Sequence, residues 1–299
     1  MDRLIRCITK SGGLMASAAD TTYLTATAQQ IHGLHAVGTA ALGRLLAAAS
    51  LMGAEMKEEG STIQLKVDGG GPLGAVVAIA DNHGDCRGMV AHPEVELPLK
   101  PNGKLDVGGA VGRDGLLGVM RDRGSGTPYT GQVRLVSGEI AEDIASYFAI
   151  SEQIPTVCAL GVLVGKEDPS QLLSGGLLIQ VMPGASEEEV DRLAENVKRL
   201  PQVTTMLAQG MTIEEMVAKA LEGLPFTQLA SMPIAYTCTC SRERVERAIS
   251  SLSPDEIRSL ADENGYAEAR CQYCGRTYRF SKEELETLAV RVETRRQKN

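Results

Sequence analysis

At 299 residues, with 43% hydrophobic residues, the chain is long enough for two or so domains and apolar enough to build a real core, which excludes global disorder. Its net charge of -8, with a pI of about 5.2, argues against a protein whose main task is to hold a phosphate backbone. Aromatics make up 3%, with no Trp and 3 Phe, so the core must come from Leu, Ile, Val, Ala and Met.

The opening, Met1-Asp2-Arg3-Leu4-Ile5-Arg6-Cys7, lacks the uninterrupted apolar run of a signal peptide. The longest apolar stretch, near Leu45 to Ala54, contains Ser50 and falls far short of a membrane span. A cytoplasmic protein with no membrane partner is expected. Residues Thr39 to Lys57, rich in Ala and Leu, predict a buried helix.

From Gly60 to Ala91 the pattern turns to strands. Ile63, Leu65 and Val67 alternate with Thr62, Gln64 and Lys66, as in a strand with one buried face. Asp68-Gly69-Gly70-Gly71-Pro72 is turn chemistry, Gly74 to Ala80 a second apolar run, and Asn82-His83-Gly84 a turn into Cys86 to Ala91. An antiparallel meander is predicted, followed by a hairpin from Leu116 to Arg121 and Gly131 to Val136. Glu139 to Phe148 predicts a helix, and Leu160 to Val164 and Leu177 to Met182 predict central strands. The fold class expected is α+β, with residues 1–183 forming a sheet-based domain with packed helices.

The texture changes at Pro183-Gly184. Ser186 with Glu189 and Thr212 with Glu215 are capping boxes, and Val190, Leu193, Ala194, Val197 and Leu200 fall at helical spacing. Residues 184–232 therefore predict a helical linker with an apolar face. Its methionines, Met206, Met211, Met216 and Met232, suit either packing on the first domain or adaptable contacts with partners.

A small unit, 233–299, follows. It carries 12 Lys+Arg against 11 Asp+Glu, near +1, leaving 18 against 27 in the rest. A short helix is predicted after Ser241 and a second at Ser253-Pro254-Asp255-Glu256, where an N-cap, a first-turn proline and a capping box coincide. Ala267 to Phe280 predicts a hairpin, and Ser281 with Glu284 caps a last helix.

Four of the seven cysteines lie in this unit, as Cys238-x-Cys240 and Cys271-x-x-Cys274-Gly275, 30 residues apart. A structural zinc site wants four soft ligands in a tetrahedron with Zn–S near 2.3 Å. Cys271 and Cys274 form the usual knuckle, and Cys238 and Cys240, two apart on extended chain, point the same way. One zinc ion per chain, bound through sulfur alone, is expected. A thioredoxin-like redox pair lacks its strand-to-helix context here, and the split spacing does not match ferredoxin patterns. A zinc ribbon that binds nucleic acid is the alternative, weighed against by the acidic whole.

Cys7, Cys86 and Cys158 stand alone and are expected to be buried thiols. His32 and His35, three apart, have no carboxylate or Cys close in sequence and are expected in surface or cap roles. The glycine-rich Asp68 to Gly71 and Gly108 to Gly112 lack the Lys-Ser/Thr that phosphate binding needs, and read as turns. No Ser-His-Asp or paired-carboxylate pattern stands out, so no enzyme is expected.

Structural zinc supplies on the order of 10–16 kcal/mol of folding energy to small modules, against about 5–15 kcal/mol for the stability of a whole domain. Oxidised thiols cannot hold it. The chemistry thus allows a peroxide-triggered unfolding switch, and equally a permanently closed structural site.

The cysteine array resembles that of the redox-regulated 33-kilodalton chaperonin family, a heat-shock holdase. So do Gly60-Ser61-Thr62-Ile63-Gln64-Leu65 with the glycine-rich turn after it, Cys86-Arg87-Gly88, Tyr129-Thr130-Gly131, and the run from Tyr147 to Thr156, Tyr147-Phe148-Ala149-Ile150-Ser151-Glu152-Gln153-Ile154-Pro155-Thr156. The resemblance spans essentially the whole chain. It implies an ATP-independent chaperone, inactive when reduced and zinc-bound. It further implies that oxidation pairs Cys238 with Cys240 and Cys271 with Cys274, releases zinc, melts the last unit and loosens the linker. Unfolding client proteins would then be bound, with homodimerisation in the active state.

Overall fold

The computed structural model describes residues 1–165 and 171–297. These fall into two compact units, Met1–Thr237 and Cys238–Asn299.

The first unit begins with β1 (Arg3–Thr9) and β2 (Leu14–Asp20), then α1 (Thr22–His32) and α2 (Ala36–Gly53). The expected meander follows as β3 (Thr62–Gly70), β4 (Val76–Asp81) and β5 (Cys86–Val90). A single turn of helix, α3 (Val107–Val111), leads into the expected hairpin of β6 (Gly112–Asp122) and β7 (Tyr129–Arg134). Next come α4 (Ala141–Tyr147), a π-helical turn over Phe148–Glu152, β8 (Thr156–Val164) and β9 (Leu172–Val181). The unit closes with α5 (Glu187–Arg199), α6 (Val203–Ala208), α7 (Ile213–Ala220) and β10 (Phe226–Pro233).

Two five-stranded antiparallel sheets result, in the orders β10-β1-β2-β9-β8 and β5-β4-β3-β6-β7. The α+β class is as expected. The end of the segment read as helical is instead a strand: β10 pairs with β1 from Arg3↔Pro233 to Thr9↔Phe226, with a bulge between Arg6 and Cys7.

Helix α2 packs against strands of both sheets. It is also the helix, among the described residues, that is long and apolar enough to cross a membrane. This corrects the reading of that stretch as far too short. Of its residues, 89% are buried, so the helix serves as the core between the sheets. Leu42, Leu45, Leu46, Leu51 and Met52 join Ile63, Leu65, Val67, Leu117 and Val119 in that core. Tyr147 and Phe148 are its buried aromatics, in edge-to-face contact with centroids 5.8 Å apart.

A second core lies on the other face of the first sheet. Ile5, Leu14, Ala16, Ala18, Leu177 and Ile179 are covered there by Leu193, Val203, Met206, Ile213, Met216 and Val217 of α5 to α7. Both capping boxes of this region form: Ser186 and Thr212 each accept from the backbone N–H three residues on, and Glu189 and Glu215 accept in return. The sheet face thus owes its cover to a row of short, well-capped helices.

The two glycine-rich segments expected to be turns are partners. Gly69 lies so close to Gly112 that a Cβ on Gly69 would sit 2.4 Å from the Gly112 carbonyl. Gly112 itself has φ of +84°, where only glycine is comfortable. Gly71 N–H and Leu73 N–H donate to the carbonyls of Val111 and Ala110, both at 3.0 Å.

The second unit consists of α8 (Arg242–Ile249), α9 (Pro254–Ser259), a hairpin of β11 (Tyr266–Arg270) and β12 (Thr277–Ser281), and α10 (Lys282–Gln297). Ser241, Ser253 and Ser281 accept from the backbone of Arg244, Glu256 and Glu284 and start the three helices. The core is small, with Ile249, Ile257, Phe280, Leu285, Leu288 and Val292 its larger members.

Candidate metal centre

The four cysteines approach one another from two segments. Cys238 and Cys240 lie on extended chain just before Ser241, the N-cap of α8. Cys271 and Cys274 occupy the turn between β11 and β12. That turn doubles back through Gly275, at φ of +71°, with Gly275 N–H donating to the Cys271 carbonyl and Cys271 N–H to the Arg276 carbonyl, both at 2.9 Å.

All four sulfurs lie within 4.8 Å of one another, and no other such group of His, Cys, Asp or Glu occurs among the described residues. Cys238 Sγ is 3.7 Å from Cys271 Sγ, and Cys240 Sγ is 3.4 Å from Cys274 Sγ. Four sulfurs placed about 2.3 Å from one tetrahedral ion would be about 3.8 Å apart. The separations fit a single metal ion.

The electrostatics point the same way. Burial, with neighbouring thiols adding to it, pushes Cys238 up to about 12, and burial likewise pushes Cys274 up. Burial also acts against the Cys240 thiolate, but hydrogen bonds from the Tyr278 hydroxyl and the neighbouring thiols outweigh it and bring Cys240 down to about 7. The cluster gives up one proton readily and resists losing more, because thiolates this close repel. A divalent cation among them removes that resistance.

The sequence reading did not single out Tyr278. Its hydroxyl donates to Cys240 Sγ at 3.1 Å. The only sequence clue is its place four residues after Cys274, and the register of β12 was needed to use it.

The remaining candidates do not converge. Cys7 and Cys86 are buried and Cys158 half-buried; burial pushes all three thiols up, Cys158 to about 12, which leaves them poor nucleophiles. His32 Nε2 lies 3.2 Å from the Tyr236 hydroxyl, and His35 pairs with Glu96 at 2.9 Å.

The sequence model of the Hsp33 protein family matches residues 2–281. The chain is 41% identical over 295 residues to the 33 kDa chaperonin of Acetivibrio thermocellus, covering 99% of each. It is 45% identical over 287 residues to that of Geobacter sulfurreducens, covering 96% of this chain and 94% of the relative. The crystal structure of the 33 kDa chaperonin (heat shock protein 33 homolog) of Thermotoga maritima superposes with a TM-score of 0.88 at 34% identity, covering 99% of both chains.

Proposed function

This chain belongs to the Hsp33 family of chaperones, and on that footing we propose that it is a redox-regulated, ATP-independent holdase for proteins unfolding under oxidative stress. The observation that carries the reading is the convergence of four thiols on one point in a unit with little core of its own. Reduced Cys238, Cys240, Cys271 and Cys274 hold one zinc ion. Bound zinc offsets half of the charge of the four thiolates and ties the segment before α8 to the β11–β12 turn.

One molecule of hydrogen peroxide takes two electrons from each pair of thiols, giving one disulfide and two molecules of water. Disulfide sulfurs no longer serve as thiolate ligands. The second unit then loses folding energy on the order of 10–16 kcal/mol, more than its small core can replace. In this reading residues 1–183 are the stable core, 184–232 the linker to be released and 233–299 the switch. Release bares Leu193, Met206, Met216 and the sheet face beneath them, apolar area worth roughly 25 cal/mol per Å² to a client that covers it. The active form is a homodimer, and the reaction is binding rather than turnover in the cytoplasm.

Pairing within each motif, Cys238–Cys240 and Cys271–Cys274, is the arrangement the family resemblance implies. The cross-motif neighbours Cys238 and Cys271, and Cys240 and Cys274, also lie close, at 3.7 and 3.4 Å, so peptide mapping of the oxidised protein decides the pairing. The function is tested by light scattering from a thermally unfolding client, comparing reduced and peroxide-treated protein without ATP. Suppression is expected only after oxidation. Suppression by the reduced form, or none by the oxidised form with mild heating, would sink the switch.

A further inference from the structure

Cys240 differs from the other sulfurs in what donates to it. The backbone N–H groups of Cys240 and Arg276 favour the thiolates of Cys238 and Cys274, contributions from the local chain itself. Cys240 instead accepts from a side chain 38 positions away, the Tyr278 hydroxyl, at 3.1 Å.

The placement of that hydroxyl is over-determined. Tyr278 stands on β12 opposite Ala269 and shares a face with Phe280, which is 1% exposed in the unit's core. Its ring packs half-buried against the same core. The Arg276 guanidinium, two residues back, interacts with the Tyr278 oxygen. An arginine can only donate, so the phenol's own proton is left to point at the sulfur. The relay runs in one direction, from Arg276 through Tyr278 to Cys240.

We propose that Tyr278, oriented by Arg276, is a positioning residue that sets the oxidant threshold of the four-cysteine site by damping the nucleophilicity of Cys240. The proposal rests on the zinc-holdase reading. Oxidation starts when a sulfur lone pair attacks one oxygen of hydrogen peroxide. The O–O bond breaks, the departing oxygen leaves as water, and a sulfenic acid remains on the sulfur. A neighbouring thiol sulfur then displaces that hydroxyl as a second water, and the S–S bond forms. With zinc bound, Cys240 is a thiolate whether or not the Tyr278 hydroxyl is present, so the donated O–H does not change its ionisation and instead engages the electron density that the first of these steps requires. Partners just outside a metal's ligands also fix ligand orientation, and losing one changes affinity or activity by about 10–100-fold.

The test follows metal release from the zinc-loaded full chain with a chromophoric chelator, in two arms, one driven by hydrogen peroxide and one by excess chelator alone. Tyr278→Phe keeps the ring and its packing and removes the hydroxyl. In the peroxide arm it should release zinc about 10-fold faster than the parent, the lower end of that range. In the chelator arm the change should be several-fold smaller. Arg276→Leu, which frees the hydroxyl to turn, should shift the peroxide arm in the same direction by less. Equal acceleration of both arms would show that Tyr278 only stabilises the fold and would overturn the proposal, as would unchanged or slower release with peroxide. A parent chain that holds no zinc, or keeps it in peroxide, sinks the zinc-holdase reading itself and this proposal with it. Failure of the Tyr278→Phe comparison alone leaves that reading standing.

Discussion

The Asp85 carboxylate accepts from the Thr237 hydroxyl at 3.0 Å and from the Ala235 backbone N–H at 2.8 Å, and Thr237 is the residue just before the first cysteine of the cluster. The neighbouring Cys86 accepts from Thr237 N–H at 2.9 Å and donates its own N–H to the Ala235 carbonyl at 3.0 Å. The Tyr236 hydroxyl adds bonds to both backbone groups of Gly88. Residues 235–237 thus run as a short parallel extension along the edge of the β5 sheet. Asp85→Ala removes two of these bonds at a partly exposed site, worth about 1 kcal/mol each. Hydrogen exchange at Ala235 and Thr237 should speed up while zinc content stays at the parent level, since every ligand lies beyond residue 237. Unchanged exchange at those amides would show that Asp85 is incidental.

Asn196, 6% exposed, donates from its side-chain amide to the carbonyls of Ala220 at 3.1 Å and Glu222 at 2.9 Å. It ties the middle of α5 to the end of α7. Asn196→Ala leaves both acceptors without that donor in a dry place, a cost of about 1–3 kcal/mol. The helices covering β1, β2 and β9 should loosen, and client binding should begin at lower oxidant dose or temperature. A variant that melts and activates as the parent does would remove Asn196 from the account.

Burial raises the Glu55 carboxyl to about 7, against opposing contributions from Arg6, Arg121 and the Gln180 side chain. Burial also raises Asp2 to about 6, although its carboxylate accepts from the N–H groups of Tyr23 and Leu24 at the start of α1. Both groups bind a proton more tightly folded than unfolded. Their contributions are therefore full below about pH 4 and are lost as pH rises through about 6 for Asp2 and 7 for Glu55. Urea midpoints of the first unit should fall between pH 5 and pH 8, and Glu55→Gln should flatten that slope. Parallel curves for parent and variant would mean that Glu55 does not titrate in this window.

Chelation of zinc should unfold residues from 238 onward and leave the first unit protected, because that unit carries two apolar cores and none of the four cysteines. Replacing Cys238, Cys240, Cys271 or Cys274 singly with Ser should weaken zinc binding sharply, and Cys158→Ser should not. Loss of exchange protection throughout β3 to β9 on chelation would contradict the separation.

Gly112→Ala combines a left-handed φ with a Cβ that would lie 2.1 Å from the Gly69 carbonyl oxygen, a backbone atom that cannot yield cheaply. The expected cost is about 3 kcal/mol or more. In a unit of this size that lowers Tm by about 6–12 °C. An unchanged melt would mean that the two glycine segments are not held together as described.

What could be read from the sequence, and what could not, divides by how local the determinant is. The hairpins and the capping boxes are each fixed within a few residues and form as expected, and the two cysteine motifs, equally local, lie close together. The strands β1, β2 and β10 went unread. Leu14 to Asp20 consists mostly of Ala, Ser and Met, which carry little strand preference, and its pairing with β1 and β9 on either side makes it a strand. Phe226 to Pro233 follows capped helices and read as their tail. Its partner strand lies at the other end of the unit. The donation from Tyr278 to Cys240 was hidden for the same reason, since it requires the β12 register and the path of residues 238–240 together.

The pairing of β1 with β10 also bears on how the protein is made. Arg3 meets Pro233, so β1, once it leaves the ribosome, must wait for about 230 further residues before its outer neighbour exists. At elongation rates of about 5–20 residues per second that delay is about 11–46 s. During it Leu4, Ile5 and Cys7 have no finished sheet edge beside them. The nascent chain is thus itself an incompletely folded protein in need of cover, and trigger-type chaperones acting at the tunnel exit should speed its maturation more than that of a chain whose first strand pairs locally.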